Sequence, residues 1–247
     1  MPLHKRARRA LERQLEYQQR KAKSVAGREA EFVDSMQRSS KRVRDLLESY
    51  KSIDTEARVI EVGSGAHGLI FHFGVGYGIG VDPLAVEYAG LFPAWQRRVS
   101  TVASLGEEMP FANDTFDIVL CDNVVDHAQS PSGIVKELVR VLRPGGLLYF
   151  TVNVHHTIYS VAATAHAGWN AAGLPFEIGP FADHTTHLTP TRARRLFGGL
   201  PIKVLSERQG IAQAKEHARK LPSRHVGDRL KRLFYKNALF EIVAEKI

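Results

Sequence analysis

The chain has 247 residues, a hydrophobic fraction of 44% and a formal net charge of +8 at pH 7, which suits one α/β domain with extensions. Its single cysteine excludes an internal disulfide and any cysteine-based zinc site. The N-terminus shows no apolar segment typical of a secretory signal, and no apolar run approaches the roughly 20 residues of a membrane helix, so we expect a cytoplasmic protein without a transmembrane segment.

The charge is unevenly distributed along the chain. Residues 1–51 carry a net charge of +7 and residues 192–236 carry +10, whereas residues 52–191 carry −8. An acidic centre suits a cationic ligand, while basic flanks indicate an anionic acceptor, nucleic acid or an anionic membrane surface. Solvated helical faces explain the basic flanks equally well.

Two helices are predicted at the start of the chain. Residues 4–23 are rich in helix formers but have a thin apolar face, Leu11 and Leu15, so this helix either stays partly disordered or packs against a partner. Residues 30–50 place apolar side chains at the spacing i, i+3, i+4 and i+7, which predicts an amphipathic helix. We therefore predict a basic helical N-terminal extension over residues 1–51.

The segment that follows is the most informative part of the chain. A β-branched apolar run ends in Glu61, and a G-x-G-x-x-G motif begins two residues later at Gly63. This pattern predicts a buried strand and a glycine turn, where the backbone can approach a nucleotide closely. Asp82 stands 19 residues after Gly63, about where a second strand presents an acid to ribose hydroxyls. Dinucleotide-binding proteins share these features.

The rest of residues 52–247 alternates strand and helix, as a parallel sheet requires. The helix after the glycine motif is expected to be short because glycines interrupt it, and Pro131 is expected to open a later helix. We predict a lid insertion over about 153–188, a last core helix over Thr191–Phe197 and a basic insertion over about 211–236. The predicted strands lie near 58–62, 78–82, 99–102, 116–121, 147–152, 202–207 and 239–244.

The motifs downstream of Asp82 indicate the class. In fixed order they are Met109-Pro110-Phe111, Phe116-Asp117-Ile118-Val119-Leu120-Cys121, Asp126-His127, Glu137 and Arg140-Val141-Leu142-Arg143-Pro144-Gly145-Gly146. This run resembles the class I S-adenosylmethionine-dependent methyltransferases, and in particular the type 11 branch that includes the ubiquinone and menaquinone C-methyltransferases. The resemblance implies a doubly wound, Rossmann-like α/β fold with a seven-stranded sheet whose last strand is antiparallel. It also implies S-adenosyl-L-methionine as cofactor and S-adenosyl-L-homocysteine as product.

The resemblance further implies which residues bind the cofactor. The glycine turn and Glu61 would face its methionine end, Asp82 its ribose and the next two residues its adenine. In the family an acid often contacts the adenine amino group, but Leu105 stands at that place, so the following two residues are the expected substitutes. The transferred methyl group would lie near the end of the fourth strand. The predicted cofactor-binding residues are Glu61, Gly63, Ser64, Gly65, Asp82, Pro83, Leu84, Gly106, Glu107, Asp122 and Asn123.

Histidines cluster where the acceptor is expected. In a doubly wound sheet, residues after the fourth and fifth strands and before the last core helix surround the ligand. A neutral imidazole there could deprotonate an acceptor hydroxyl near pH 7. The i, i+3 spacing of Asp183-His184-x-x-His187 would bind a metal only on a helix, and its Thr and Pro neighbours favour a turn, so we predict no metal site. The candidates for the general base are His127, His155, His156, His184 and His187.

Three functions are compatible with these features. We favour methylation of a small molecule, directed to oxygen, with an anionic, glycan-like or natural-product-like acceptor. The first alternative is an RNA methyltransferase that uses the basic flanks for phosphate contacts. Methylation of a nucleic-acid base is disfavoured because Asp122-Asn123-Val124-Val125 lacks the proline and aromatic residue that clamp a flipped adenine. The second alternative is a non-catalytic relative that binds the cofactor or a partner.

Overall fold

The computed structural model describes residues 5–158, 187–220, 234–235 and 237–247. Within these ranges the chain forms seven strands: β1 (Arg58–Val62), β2 (Tyr77–Val81), β3 (Ser100–Val102), β4 (Phe116–Asp122), β5 (Leu142–Val154), β6 (Ile202–Gln209) and β7 (Ala238–Lys246). The helices are α1 (Lys5–Val25), α2 (Glu29–Glu48), a 3-10 helix (Leu69–His72), α3 (Ala85–Leu91), α4 (Pro93–Gln96), α5 (Pro131–Val141), α6 (Pro190–Arg195) and α7 (Ile211–Lys220).

The strands form one sheet in the order β3-β2-β1-β4-β5-β7-β6. The first five strands are parallel, and β7 lies antiparallel between β5 and β6. This arrangement confirms the predicted doubly wound sheet with an antiparallel last strand. The chain leaves β1 toward β2 on one side and later returns to β4 on the other, so the crevice beyond the carboxyl ends of β1 and β4 is the expected ligand site.

Most predicted elements lie within two residues of their positions, but β5 is longer than expected. It begins at Leu142, which pairs with Phe116, and the pairing then shifts so that Leu147 lies opposite Ile118. The sequence Pro144-Gly145-Gly146, which lies ahead of the strand predicted near 147–152, is therefore part of β5 and forms a bulge in its pairing with β4. Gly145, with φ of 71°, supplies the left-handed residue that this bulge needs.

The second helix, α2, covers one face of the sheet. Val43 and Leu47 are completely buried in a cluster with Val59 of β1. On the same face the Arg42 guanidinium donates to the Tyr149 hydroxyl, with a 2.7 Å N–O distance. Helix α2 is thus part of the core that supports the nucleotide-binding strands, and the domain boundary predicted at residue 51 remains a prediction.

The first helix also packs against the domain. Leu11 and Leu15 are partly buried against the same cluster, and Gln18 and Val25 of this helix are buried. The structure therefore favours the alternative in which the thin apolar face finds a partner, and that partner is the rest of the chain. Neither α1 nor another helix in the described ranges is long and apolar enough to cross a bilayer.

Candidate cofactor site

A cavity of about 520 Å³ lies at the carboxyl ends of β1, β2 and β4. This volume falls within the range of about 300–1,000 Å³ typical of small-molecule sites. All eleven predicted cofactor-binding residues line it, from Glu61 to Asn123. The fold therefore brings together the residues that the sequence placed in separate motifs, and their individual contacts with the cofactor remain predictions.

Glu61 fixes the segment after the glycine turn. Its carboxylate is buried and accepts hydrogen bonds from the backbone N–H groups of Leu69 and Ile70, at 3.1 and 2.8 Å. Burial raises the pKa of Glu61 to about 8, and the negative charges of Asp122 and Asp82 add to this effect. Glu61 thus lines the cavity while both of its oxygens already hold the start of the 3-10 helix.

The glycines of the turn are required for two different reasons. Gly63 has φ of 74°, and a Cβ built there would lie 2.3 Å from a methyl carbon of Val124. Gly68 has an ordinary φ of −64°, but a Cβ there would lie 2.3 Å from the Oε2 of Glu61. The first glycine thus permits a left-handed turn, and the third makes room for the buried carboxylate.

Asp82 ties the second strand to the glycine turn. Its two carboxylate oxygens accept from the backbone N–H groups of Leu84 and Gly65, at 2.9 and 3.0 Å. Burial raises the pKa of Asp82 above its ordinary value. Each carboxylate oxygen can accept a further hydrogen bond, so Asp82 retains the capacity to receive two ribose hydroxyls.

Gln96 also holds the glycine turn, through its carbonyl oxygens. Its side-chain amide donates to the carbonyl oxygens of Gly65 and Ala66, at 3.1 and 3.0 Å. The sequence does not suggest this role, because Gln96 lies 30 residues after the turn on the short helix α4, and no motif links them.

The predicted adenine side of the cavity is partly apolar. Leu105, which stands where the family often has an acid, lines the cavity itself. Glu107 uses one carboxylate oxygen to accept from the backbone N–H groups of Gln129 and Ser130, each at 3.1 Å. Glu107 therefore positions the loop before α5, and its other oxygen is not involved in these two bonds.

The loop after β4 forms the side where the methyl group is expected. Asp122 accepts a hydrogen bond from the Thr151 hydroxyl. Asn123 adopts a left-handed φ of 58°, which asparagine tolerates better than most residues. Its side-chain oxygen accepts from the backbone and side-chain N–H groups of Asn153, at 3.1 and 2.7 Å. These contacts to β5 fix the loop.

The predicted histidines occupy different environments. Among the described residues of this group, His127 is the one that lines the cavity; its side chain is 46% exposed, and its Nε2 lies 3.9 Å from the buried carboxylate of Asp126. His155 is buried, and its ring packs against that of His187, with centroids 4.9 Å apart. His156 packs against two aromatic rings of residues 234–235. His184 lies outside the described residues, as does most of the predicted lid.

Charged side chains in the cavity wall are acidic. Asp82, Glu107 and Asp122 line it together with Glu61, whose raised pKa favours the neutral form, and no Lys or Arg does so among the residues that the structure describes. No group of three His, Cys, Asp or Glu side chains in those ranges is placed to hold a metal ion. The wall thus suits a cationic ligand, which agrees with the acidic centre of the sequence.

The two N-terminal helices complete the wall. Helix α1 contributes Gln14 and Gln18, and helix α2 contributes Ser35 and Ser39. We did not predict any of these residues as part of the site. A signal exists in α1, where residues 11, 15, 18, 22 and 25 follow a helical spacing that marks one buried face with a glutamine at its centre.

Comparison with known proteins identifies the family of the central segment. The model of the type 11 methyltransferase domain family matches residues 60–150. An uncharacterised methyltransferase of Mycobacterium tuberculosis is 40% identical over 82 residues, which are 33% of this chain and 32% of that protein. Another, from Mycolicibacterium vanbaalenii, is 29% identical over 159 residues, 64% of this chain and 52% of that protein. The chain therefore matches between a third and a half of these relatives' lengths.

Solved structures share the fold at low sequence identity. The YcgJ protein of Bacillus subtilis superimposes with a TM-score of 0.59 and 16% identity, over 83% of this chain and 98% of that protein. Geranyl diphosphate C-methyltransferase from Streptomyces coelicolor, solved with Mg²⁺, geranyl diphosphate and S-adenosyl-L-homocysteine, gives a TM-score of 0.61 and 13% identity, over 84% of this chain and 77% of that protein. These similarities establish the fold.

Proposed function

Because residues 60–150 carry a class I S-adenosylmethionine-dependent methyltransferase domain, we propose that the chain methylates a hydroxyl group of a small-molecule acceptor. The observation that carries this proposal is the composition of the cavity wall. Helices α1 and α2 line the same cavity of about 520 Å³ as the glycine turn and the loop after β4. A site walled in this way suits an acceptor of small-molecule size better than a nucleic-acid strand.

The residues present fit the cofactor. Its sulfonium group is positively charged, and the acidic side chains of Asp82, Glu107 and Asp122 line the cavity, together with Glu61, whose raised pKa favours the neutral form. When bound, S-adenosylmethionine supplies a methyl group that is already activated for in-line displacement. The protein then has to align the acceptor with that group, exclude water and remove a proton from a hydroxyl acceptor.

His127 is the proposed general base. It lies beside the loop after β4, it lines the cavity, and its half-exposed side chain is accessible to an acceptor. The Asp126 carboxylate, whose oxygen lies 3.9 Å from Nε2, is close enough to orient the imidazole ring. His155 remains a predicted alternative, but its burial against His187 gives it no described contact with this cavity.

An anionic group on the acceptor would be attracted by the basic segment 192–236 and not by the cavity wall. The described wall contributes carboxylates and no Lys or Arg, so attraction of an anion would depend on the basic segment 192–236. Helix α6 places Arg192, Arg194 and Arg195 in this segment, and Arg194 pairs with Glu207 at 2.5 Å. The hydroxyl group is therefore the main feature of the proposed acceptor, and an anionic group is an additional one.

The test is transfer of a labelled methyl group to separated acceptor pools. The full chain and labelled S-adenosylmethionine are incubated with a small-molecule extract or with total RNA. We expect label in the small-molecule fraction. Label confined to RNA would establish the nucleic-acid alternative, and cofactor binding without label in either pool would support a non-catalytic role.

His127→Ala tests the assignment of the base. We expect turnover to fall about 10²- to 10⁴-fold, while the affinity for S-adenosylhomocysteine changes far less. His217→Ala is the matched control, because His217 is exposed on α7 and does not line the cavity. Equal losses of turnover and cofactor affinity in His127→Ala would show that His127 only orders the loop.

A further inference from the structure

Helix α1 crosses the cavity between two anchors. At one end the Gln14 side chain hydrogen-bonds to Tyr88 of α3, close to the segment that follows Asp82. At the other end the Lys21 ammonium lies 3.0 Å from the Nε2 of His67, within the glycine motif. Burial lowers the pKa of His67 to about 4, so its neutral ring can accept a hydrogen bond from Lys21.

Gln18 lies between these anchors and faces the cavity. It is only 3% exposed, it lines the cavity, and its side-chain oxygen has no hydrogen-bond partner in the described part of the chain. Ser64 in the glycine turn also lines the cavity, and its buried hydroxyl has no such partner either. Buried polar groups are normally satisfied, so two unsatisfied groups in one cavity indicate a polar ligand.

Packing alone does not explain a glutamine at this position. Leu11, Leu15, Ala22 and Val25 occupy the same face of α1, and all pack against the apolar cluster under that helix. A leucine at position 18 would continue this face without an unsatisfied oxygen. Gln18 is therefore a polar residue on an otherwise apolar face, and it lies in the turn of α1 between Tyr88 and the glycine motif.

We propose that the Gln18 carboxamide binds the amino-acid end of the cofactor, which makes the N-terminal helix part of the cofactor site. This inference rests on the proposed function, and it adds a binding residue from outside the family domain at 60–150. A carboxamide can accept a hydrogen bond from an ammonium group and donate one to a carboxylate, and the amino-acid end carries both groups. A hydroxyl such as that of Ser64 in the glycine turn can likewise accept and donate a hydrogen bond.

The experiment compares two ligands in two matched variants. S-adenosylhomocysteine carries the amino-acid end, whereas 5′-methylthioadenosine retains the adenosine but lacks that end. Both are titrated by calorimetry into the wild-type chain, Gln18→Leu and Gln19→Leu. Gln19 is the matched control because it is the neighbouring glutamine on the same helix and is exposed. Thermal melting of each variant checks that α1 stays docked.

We expect Gln18→Leu to weaken S-adenosylhomocysteine binding roughly 10- to 100-fold, because hydrogen bonds to charged groups are lost. Binding of 5′-methylthioadenosine should change less than about twofold, and Gln19→Leu should bind both ligands as the wild type does. Unchanged S-adenosylhomocysteine affinity in Gln18→Leu would overturn the proposal, as would equal weakening of both ligands. The proposed function fails in a different way, namely when the wild type binds the cofactor but methylates no small molecule.

Discussion

Replacing Gly68 by alanine tests whether the third glycine of the motif is required by the buried carboxylate. The new Cβ would lie 2.3 Å from the Oε2 of Glu61 and 2.4 Å from the backbone oxygen of Ser64. Carbon and oxygen atoms pack comfortably at more than 3 Å, and the Ser64 oxygen belongs to the backbone, so the turn or Glu61 must move. The φ of −64° is ordinary, so the expected effect is steric.

The magnitude depends on which group yields. Overpacking by one methyl group costs about 1–3 kcal/mol. If the Glu61 carboxylate is displaced, the buried N–H groups of Leu69 and Ile70 lose their acceptor, at about 1–3 kcal/mol each. We therefore expect Gly68→Ala to lower the unfolding free energy by about 1–6 kcal/mol, depending on which group moves, and the melting temperature by on the order of 10 °C.

The assay is urea denaturation together with titration of S-adenosylhomocysteine. Gly90→Ala is the matched control, because Gly90 lies on helix α3 and a Cβ there meets nothing within 4 Å. That variant should be unchanged or more stable by up to about 1 kcal/mol, since alanine favours helix more than glycine does. Wild-type stability and wild-type affinity in Gly68→Ala would refute the steric role of the Glu61 carboxylate.

Two further predictions concern the groups that hold the glycine turn. The pKa of Glu61 is raised from 4.5 to about 8, so between these pH values the folded state keeps a proton that the unfolded state has lost. The contribution of Glu61 to the unfolding free energy is therefore fully present below about pH 4.5 and is lost as the pH rises through 8. The glutamine of Glu61→Gln cannot ionise. Between pH 5 and pH 8 the unfolding free energy of the wild type, measured in urea, should therefore fall by at least about 1.4 kcal/mol relative to that of the variant. A difference between the two proteins that does not change with pH would contradict the raised pKa. Gln96→Leu removes the donor to two carbonyl oxygens of the turn, so S-adenosylhomocysteine affinity should fall about tenfold by calorimetry, and an unchanged affinity would show that Gln96 does not position the turn.

The sheet and the cofactor cradle could be predicted because their determinants are local. The apolar run at β1 fixes a buried strand, and glycines are needed where the chain turns left-handed at Gly63 or passes within 2.3 Å of Glu61. Asp82 follows a strand at the spacing that a second βα unit dictates. These constraints lie within about 20 residues of one another, so they can be recognised from the sequence without knowledge of the tertiary structure.

The walls contributed by distant segments could not be predicted in the same way. Docking of α1 over the cavity depends on tertiary contacts such as that between Lys21 and His67, which are 46 residues apart. Histidine position in the sequence likewise did not decide which ring faces the cavity: His127 lines it, whereas His155 is buried against another ring. The strand predicted near 147–152 begins after the bulge at Gly145, because Pro-Gly-Gly is typical of a turn as well as of a bulge.

Calorimetric titration of S-adenosylmethionine and S-adenosylhomocysteine into the full chain and into Asp82→Ala tests the central claim most directly. Asp82 lines the cavity and retains the capacity to accept two ribose hydroxyls. We predict that the wild type binds both compounds with dissociation constants on the order of micromolar, within the usual range for enzyme substrates, and that Asp82→Ala binds each at least about tenfold more weakly. Absence of binding to the wild type, or equal affinity in Asp82→Ala, would contradict the assignment of this cavity to the cofactor.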